Sequence, residues 1–213
     1  MGHCRRDAPV TPLSEAHRRL SDAVRRATLA TLIADVDDDA MEAAATAIEA
    51  AAAELEQAQR DGPAWPDGNA VREPHRFFPV SPVVGYHNPL ALPVQVEIVD
   101  DLVIGTARFT WPYQGPPGCV HGAVVAGVFD ELLSFACIAN GPAGMTGKLS
   151  IKYRHPTPLH EELRFVCRRE SISGRRLVAT GECYAGDVVT AEAEGLFIIV
   201  RPDRAAQMFE QQA

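Results

Sequence analysis

The hydrophobic positions of this chain change period twice, and each change marks a different kind of structure. Over residues 11–60 apolar side chains recur every three or four residues, as on one face of a helix: Leu13, Ala16, Leu20, Ala23, Val24, Ala27 and Ala30, with Arg18, Arg19, Arg25 and Arg26 elsewhere. Thr11-Pro12 would open this helix, Thr capping free N–H groups and Pro taking the first helical position. Acids from Asp35 to Asp39 suit the start of a second helix, which carries Met41, Ile48 and Leu55 seven apart on an alanine background, with Glu42, Glu49, Glu54 and Glu56 outside. A basic helix followed by an acidic one predicts an antiparallel hairpin or a docking element over residues 1–61, serving packing or oligomerisation.

Gly and Pro then crowd residues 62–93, from DGPAWPDG to REPHRFFPVSPVVGYHNPLALP, and no long regular element survives such a composition. This linker is expected to lie on the body, with Phe77, Phe78 and Tyr86 as anchors. From Val94 the period becomes two. Strands are predicted over 94–99 and 102–110 before the loop YQGPPGCVHG, and four more after the next helix, around 148–154, 162–168, 177–185 and 188–200. In the last strand one face runs Val189, Ala191, Ala193, Gly195, Phe197, Ile199. Its small middle lets a helix approach closely, and the class is α+β, with one helix across an antiparallel sheet spanning 94–203 and a tail over 204–213.

Between the strand groups lies PPGCVHGAVVAGVFDELLSFACIAN, residues 116–140. From Gly122 to Ala139 its only charged side chains are Asp130 and Glu131. A helix apolar around its circumference is surrounded by protein, and this one is too short and too interrupted to cross a membrane. The acids inside it call for a reason.

Composition narrows the functions. A formal charge of -8 and a pI near 5.3 exclude a general nucleic-acid binder, which needs a concentrated positive face. The cysteines Cys4, Cys119, Cys137, Cys167 and Cys183 form no CxxC pair and sit mostly in apolar runs. Together with an N-terminus lacking the apolar core of a secretory signal, they predict a reducing, cytoplasmic location.

Gly118-Cys119-Val120-His121-Gly122 places backbone N–H groups at a helix N-terminus, where unpaired donors and the helix dipole favour negative charge, including a developing oxyanion. Gly122, without a side chain, is the preferred donor, with His121 beside it. Asp130 follows His121 by nine residues, about 13 Å along a helix, far beyond the roughly 3 Å between groups acting on one atom. Two copies with antiparallel central helices would bring Asp130 of one to Gly122 of the other, which predicts an obligate homodimer with two composite sites, a tetramer being a further option.

GCVHGAVVAGVFDELLSFA followed by TGKLSIKYRHPTPL resembles the hotdog-fold thioesterases of the PaaI-like, 4-hydroxybenzoyl-CoA thioesterase superfamily. The pattern there is HGG, an acid nine residues after the His, and a Thr or Ser opening the next strand ahead of a Y-x-R-P-like segment. The resemblance covers about residues 92–200. It implies a hotdog fold, a long central helix wrapped by a curved antiparallel sheet, with sites between two subunits. It also implies hydrolysis of an acyl thioester, acyl-CoA or acyl-carrier protein, without metal or cofactor. Gly122 then takes the oxyanion-hole position, His121 the positioning His, Asp130 the catalytic acid, as base or nucleophile, and Thr146 the orienting hydroxyl. Gln114 stands where relatives polarise the substrate, and Gly118 and Ala123 complete the expected substrate contacts, Ala123 replacing the second Gly of HGG. Glu131, about 100° around the helix from Asp130, is the other candidate acid. The competing functions are a non-catalytic acyl-CoA sensor or carrier and a hotdog hydratase, and hydrolysis uses the full set of residues where binding would not need the acid.

Other motifs fail. GxSxG does not occur, so no nucleophile elbow is present. TGKLS has Pro142 and Leu149 where a phosphate loop needs Gly and a hydroxyl. His155 and His160 have no Cys or acid at metal-ligand spacing, and Cys119 reads as filler rather than as a reactive thiol.

Overall fold

The computed structural model describes residues 14–58, 72–139 and 141–200. The Thr11-Pro12 helix opening, the first part of the linker and the 204–213 tail lie outside them. Two N-terminal helices, α1 (Glu15–Ile33) and α2 (Asp38–Glu56), precede a single turn, α3 (Pro74–Phe77). Then come β1 (Val94–Val99), β2 (Leu102–Arg108), the 3-10 turn Trp111–Tyr113, the central helix α4 (Gly122–Ile138), and β3 (Gly144–Tyr153), β4 (Glu162–Ser173), β5 (Arg176–Ala185) and β6 (Val188–Ile199).

The six strands form one antiparallel sheet in the order β1-β2-β4-β5-β6-β3, so the strand after α4 crosses to the far edge. α4 lies across one face, against β2 through β6. Phe129, Leu132, Leu133, Phe135 and Ala136 are fully buried there with Phe165, Leu163, Leu177 and Phe197. Each such Leu or Phe stabilises the fold by about 1.5–3 kcal/mol. Two strand glycines make the close approach possible. A Cβ on Gly105 would stand 2.6 Å from Leu132 Cδ1, and one on Gly181 would stand 2.5 Å from Cys167 Sγ and 3.2 Å from Phe129 Cε1.

Residues 72–93 run over the body without long regular structure, and Phe77 and Phe78 meet Phe135 edge-on at 6.0 and 5.8 Å. α1 begins at Ser14, whose hydroxyl accepts from the His17 N–H, later than Thr11-Pro12 suggests. Its Arg25 donates to the carbonyls of Asn88 and Tyr86, and Arg18 lies over the Tyr86 ring. α2, capped by Asp37, makes no extensive contact with α1 or with any other element among the described residues. Among the described residues the two helices therefore do not pack on each other as an extensive hairpin.

His75 fastens α3 to β1. Its Nδ1 bonds the Val84 carbonyl and its Nε2 accepts from the Val96 N–H, while its ring stacks on Tyr86 at 3.9 Å. Burial, and then Arg18, hold its pKa below the ordinary value. The contribution of a depressed His is fully present above the unfolded value of about 6.5 and is lost as pH falls through the folded value. His87, whose ring stands 6.4 Å from that of His17, is depressed by burial with the same sign. The melting temperature is thus expected to drop between pH 7 and 5, and His75→Phe to flatten that drop while melting lower at pH 8. An unchanged acid dependence in the variant would remove His75 from this role.

Candidate active site

The approach to α4 is a tied loop. The Gly115 N–H donates to the Cys119 carbonyl, Cys119 N–H to Pro116, Val120 N–H to Thr157, and His121 N–H to Tyr113. Gly118 sits at φ +76°, where L side chains are strained, which accounts for a glycine there. Its N–H donates at 3.5 Å to Gln114 Oε1, and its carbonyl accepts from Leu159. Gln114 is thus turned across its own loop toward the Gly118 N–H.

At the helix start, His121 is the N-cap at φ -62° and ψ 134°, and its Nδ1 accepts from the Ala123 N–H at 3.0 Å. That bond places the ring proton on Nε2, the nitrogen left free to donate. Among the described residues the Gly122 N–H has no acceptor. It is an open donor at the positive end of a 17-residue helix. The Gly122 carbonyl accepts from the Tyr153 hydroxyl at 2.8 Å, and a Cβ at this position would stand 3.2 Å from that oxygen. Tyr153 was legible only as the Tyr of the YRHP segment, and its spacing from Gly122 gives no hint that β3 ends over the helix start.

Two turns further along, Asp130 is half-buried and its Oδ1 accepts from the Thr146 hydroxyl at 2.8 Å. Thr146 is positioned by a bulge, since the β3–β6 register shifts between Thr146 and Lys148. The acid and the hydroxyl therefore come together within one chain, whereas Gly122 and Asp130 stay eight residues apart on one helix, about 12 Å. Ala123 is exposed, and a Cβ at Gly127 would meet nothing within 4 Å, so the side of α4 at Ala123 and Gly127, next to Asp130, is left open.

Glu131 points elsewhere. Its Oε1 accepts from the Ser81 hydroxyl at 2.8 Å, and that hydroxyl accepts from the Val83 and Val84 N–H groups. Burial, and more weakly Asp130, raise the Glu131 pKa, against the Ser81 bond. A raised carboxyl contributes stability below its unfolded value, about 4.3, and loses it as pH rises through the folded value. Glu131→Gln keeps an acceptor for Ser81 and buries no charge. Its stability relative to the unsubstituted protein is expected to rise between pH 4 and 8 by denaturant midpoint, with turnover retained; a large loss of turnover would make Glu131 the active acid.

Burial pushes the Cys137 and Cys183 thiols up to about 11 and raises Cys167 as well, so these side chains serve as apolar filling. Among the described residues no three His, Cys, Asp or Glu side chains gather where a metal ion could bind. No helix among them is long and apolar enough to cross a membrane. A cavity of about 530 Å³, lined by Ser150, Lys152, Arg168, Glu182 and Glu192 among others, does not include Asp130, Thr146 or Gly122.

A solved crystal structure of a thioesterase superfamily protein is 36% identical to this chain and superposes with a TM-score of 0.78, over 88% of this chain and 97% of that one. This chain belongs to the thioesterase superfamily. The family's sequence pattern matches residues 117–192, from the loop before α4 to β6, and so includes His121, Gly122, Asp130 and Thr146. An alignment over 88% of the chain also reaches into the N-terminal helices, beyond the 92–200 span of the resemblance. Acyl-coenzyme A thioesterase THEM4 of Mus musculus is 34% identical over 93 residues, 43% of this chain and 40% of the relative. That of Bos taurus is 34% identical over 98 residues, 45% of this chain and 40% of the relative. The matched part is thus under half the length of these acyl-coenzyme A thioesterase relatives.

Proposed function

We propose that this protein hydrolyses acyl thioesters, with coenzyme A or a carrier protein as the thiol, at composite sites shared by two copies. The observation that carries this is the Gly122 N–H, without an acceptor among the described residues, at the start of the helix whose middle bears Asp130 hydrogen-bonded to Thr146. A donor for an oxyanion and a carboxylate able to take a proton are what the reaction needs, and 12 Å of helix keeps them apart in one chain. A second copy lying on the open side of α4 would supply the missing half. The free edge of β3, with Met145 and Tyr153 exposed, offers it a seam. His121 and Gly122 then come from one copy, Asp130 and Thr146 from the other.

In this reading the thioester carbonyl oxygen accepts from the Gly122 N–H, with His121 Nε2–H beside it. The Thr146 hydroxyl occupies Asp130 Oδ1, so the second oxygen receives the proton of a water that attacks the carbonyl carbon. The tetrahedral oxyanion formed against Gly122 collapses, the C–S bond breaks, and the thiol leaves with the proton that Asp130 held. Direct attack by Asp130 would pass through an anhydride instead, and 18O from solvent water appearing in the Asp130 carboxylate in a single turnover would reveal it.

Release of free thiol from a panel of acyl-CoAs and acyl-pantetheines tests the function. Turnover on at least one acyl group is expected. Saturable binding without any turnover would turn the protein into an acyl-CoA carrier or sensor.

A further inference from the structure

Among the described residues α2 has no extensive packing partner. Every side chain along its 19 residues is exposed except that of Met41, with Ile48 and Leu55 at 54% and 55% exposure. Its acids fit its start but not its end: Glu54 and Glu56 occupy the last turn, no base is there, and carboxylates oppose the helix dipole at a C-terminus. In proteins most of a helix's stability comes from packing of an amphipathic face, and among the described residues α2 packs extensively on no other element. Met41, Ile48 and Leu55, spaced by seven with Ala44, Ala45 and Ala52 among them, form a narrow stripe that another helix can approach closely.

α1 carries the complementary stripe on its outward side. Ser21 is buried and Arg25 holds the body, while Leu20 and Val24 stay 39% and 41% exposed beside Ala16, Ala23 and Ala27. Arg19 and Arg26, also seven apart, flank that stripe and are exposed. α1 has four Arg against two acids, and α2 has six acids and no base.

The flanks decide which chain provides the partner. Each Arg precedes its stripe residue (Arg19 before Leu20, Arg26 before Ala27), whereas each Glu follows its own (Glu42 after Met41, Glu49 after Ile48, Glu56 after Leu55). At about 100° per residue, the bases and acids lie on flanks of opposite rotational sense. Facing helices bring such flanks together only when they run parallel. Within one chain α1 and α2 are joined by residues 34–37, which reach at most about 14 Å, against the roughly 28 Å needed to return along α1.

We infer that α2 of one copy docks parallel on α1 of a second copy, Met41, Ile48 and Leu55 covering the Leu20–Val24 stripe and Glu42 and Glu49 pairing with Arg19 and Arg26. This arm exchange does not depend on the catalytic reading. α1 also packs on the 3-10 turn Trp111–Tyr113, whose Tyr113 carbonyl holds the His121 N–H, so the exchanged arm braces the loop that presents the free donor.

Amide hydrogen exchange over residues 38–56 of the full chain, with solution mass, tests it. The unsubstituted protein is expected to protect α2. Arg19→Glu/Arg26→Glu and Glu42→Arg/Glu49→Arg are each expected to lose roughly tenfold of that protection while the sheet amides stay protected. Mixing the two variants restores it, because acid then meets base at both contacts of the mixed pair. Unprotected α2 in the unsubstituted protein overturns the inference, as does full protection in both variants. Loss without recovery on mixing does so too, since it would place the contact within one chain. Thiol release is read separately, so loss of the arm contact with turnover intact leaves the catalytic reading standing.

Discussion

Asp130→Asn is expected to lower kcat on acyl thioesters by about 10²–10⁴-fold, the usual contribution of a general base, with little change in KM and an unchanged melting temperature. The substitution is nearly isosteric, and Asn Oδ1 can still accept the 2.8 Å bond from Thr146, so the junction of α4 with β3 persists. What is lost is the capacity to hold a proton, because an amide does not take one from attacking water. A fall in kcat with KM unchanged marks an interaction made in the transition state rather than in binding. Turnover equal to that of the unsubstituted protein would remove Asp130 from the mechanism. A loss confined to KM would make it a substrate contact.

Gly122→Pro is expected to cost about 10²–10³-fold in kcat by deleting one oxyanion donor, and the local backbone makes it a clean deletion. Gly122 is the first residue of α4, where Pro is well tolerated and no intrahelical bond is lost. His121 lies at φ -62° and ψ 134°, an extended, polyproline-like conformation outside the α region that a following Pro disfavours. The nearest obstacle to a side chain is the Tyr153 ring end, 3.2 Å from the added Cβ, at the flexible tip of an exposed residue. Mixed with Asp130→Asn and allowed to exchange subunits, this variant should recover activity. A mixed dimer carries one intact site, Gly122 from the Asp130→Asn chain and Asp130 from the Gly122→Pro chain. Random exchange therefore restores about a quarter of the full activity. No recovery despite demonstrated exchange would mean that each site lies within one chain and would end the composite-site reading.

The two variants meet at the one distance that organises this protein. The sequence already sets Asp130 nine residues after His121, and a helix converts that count into a length without any tertiary information. It does not say where Thr146 goes, because 16 residues and a strand crossing separate it from Asp130. β3 has to be laid beside β6 before the hydroxyl reaches the carboxylate. Nor does it separate Asp130 from its neighbour. Adjacent acids on a helix differ by 100° in direction, and only the path of residues 72–93 shows that Glu131 is taken up by Ser81. Gln114 and Gly118 carry a similar lesson, since their loop bonds to itself and the bonding of each is explained by the turn.

Periodicity by itself determined the element types and the class: two helices, an irregular stretch, and six strands around one apolar helix, all governed by local alternation of apolar and polar positions. It also determined that His121-Gly122 and Asp130 lie too far apart on one helix to share an atom. Only the tertiary structure decided the strand order, the pairing of Thr146 with Asp130, the placement of Tyr153 over Gly122, and the separation of α2 from α1. Those depend on which surfaces meet, and that is settled by long-range packing whose partners lie tens of residues apart, beyond the reach of any period along the chain.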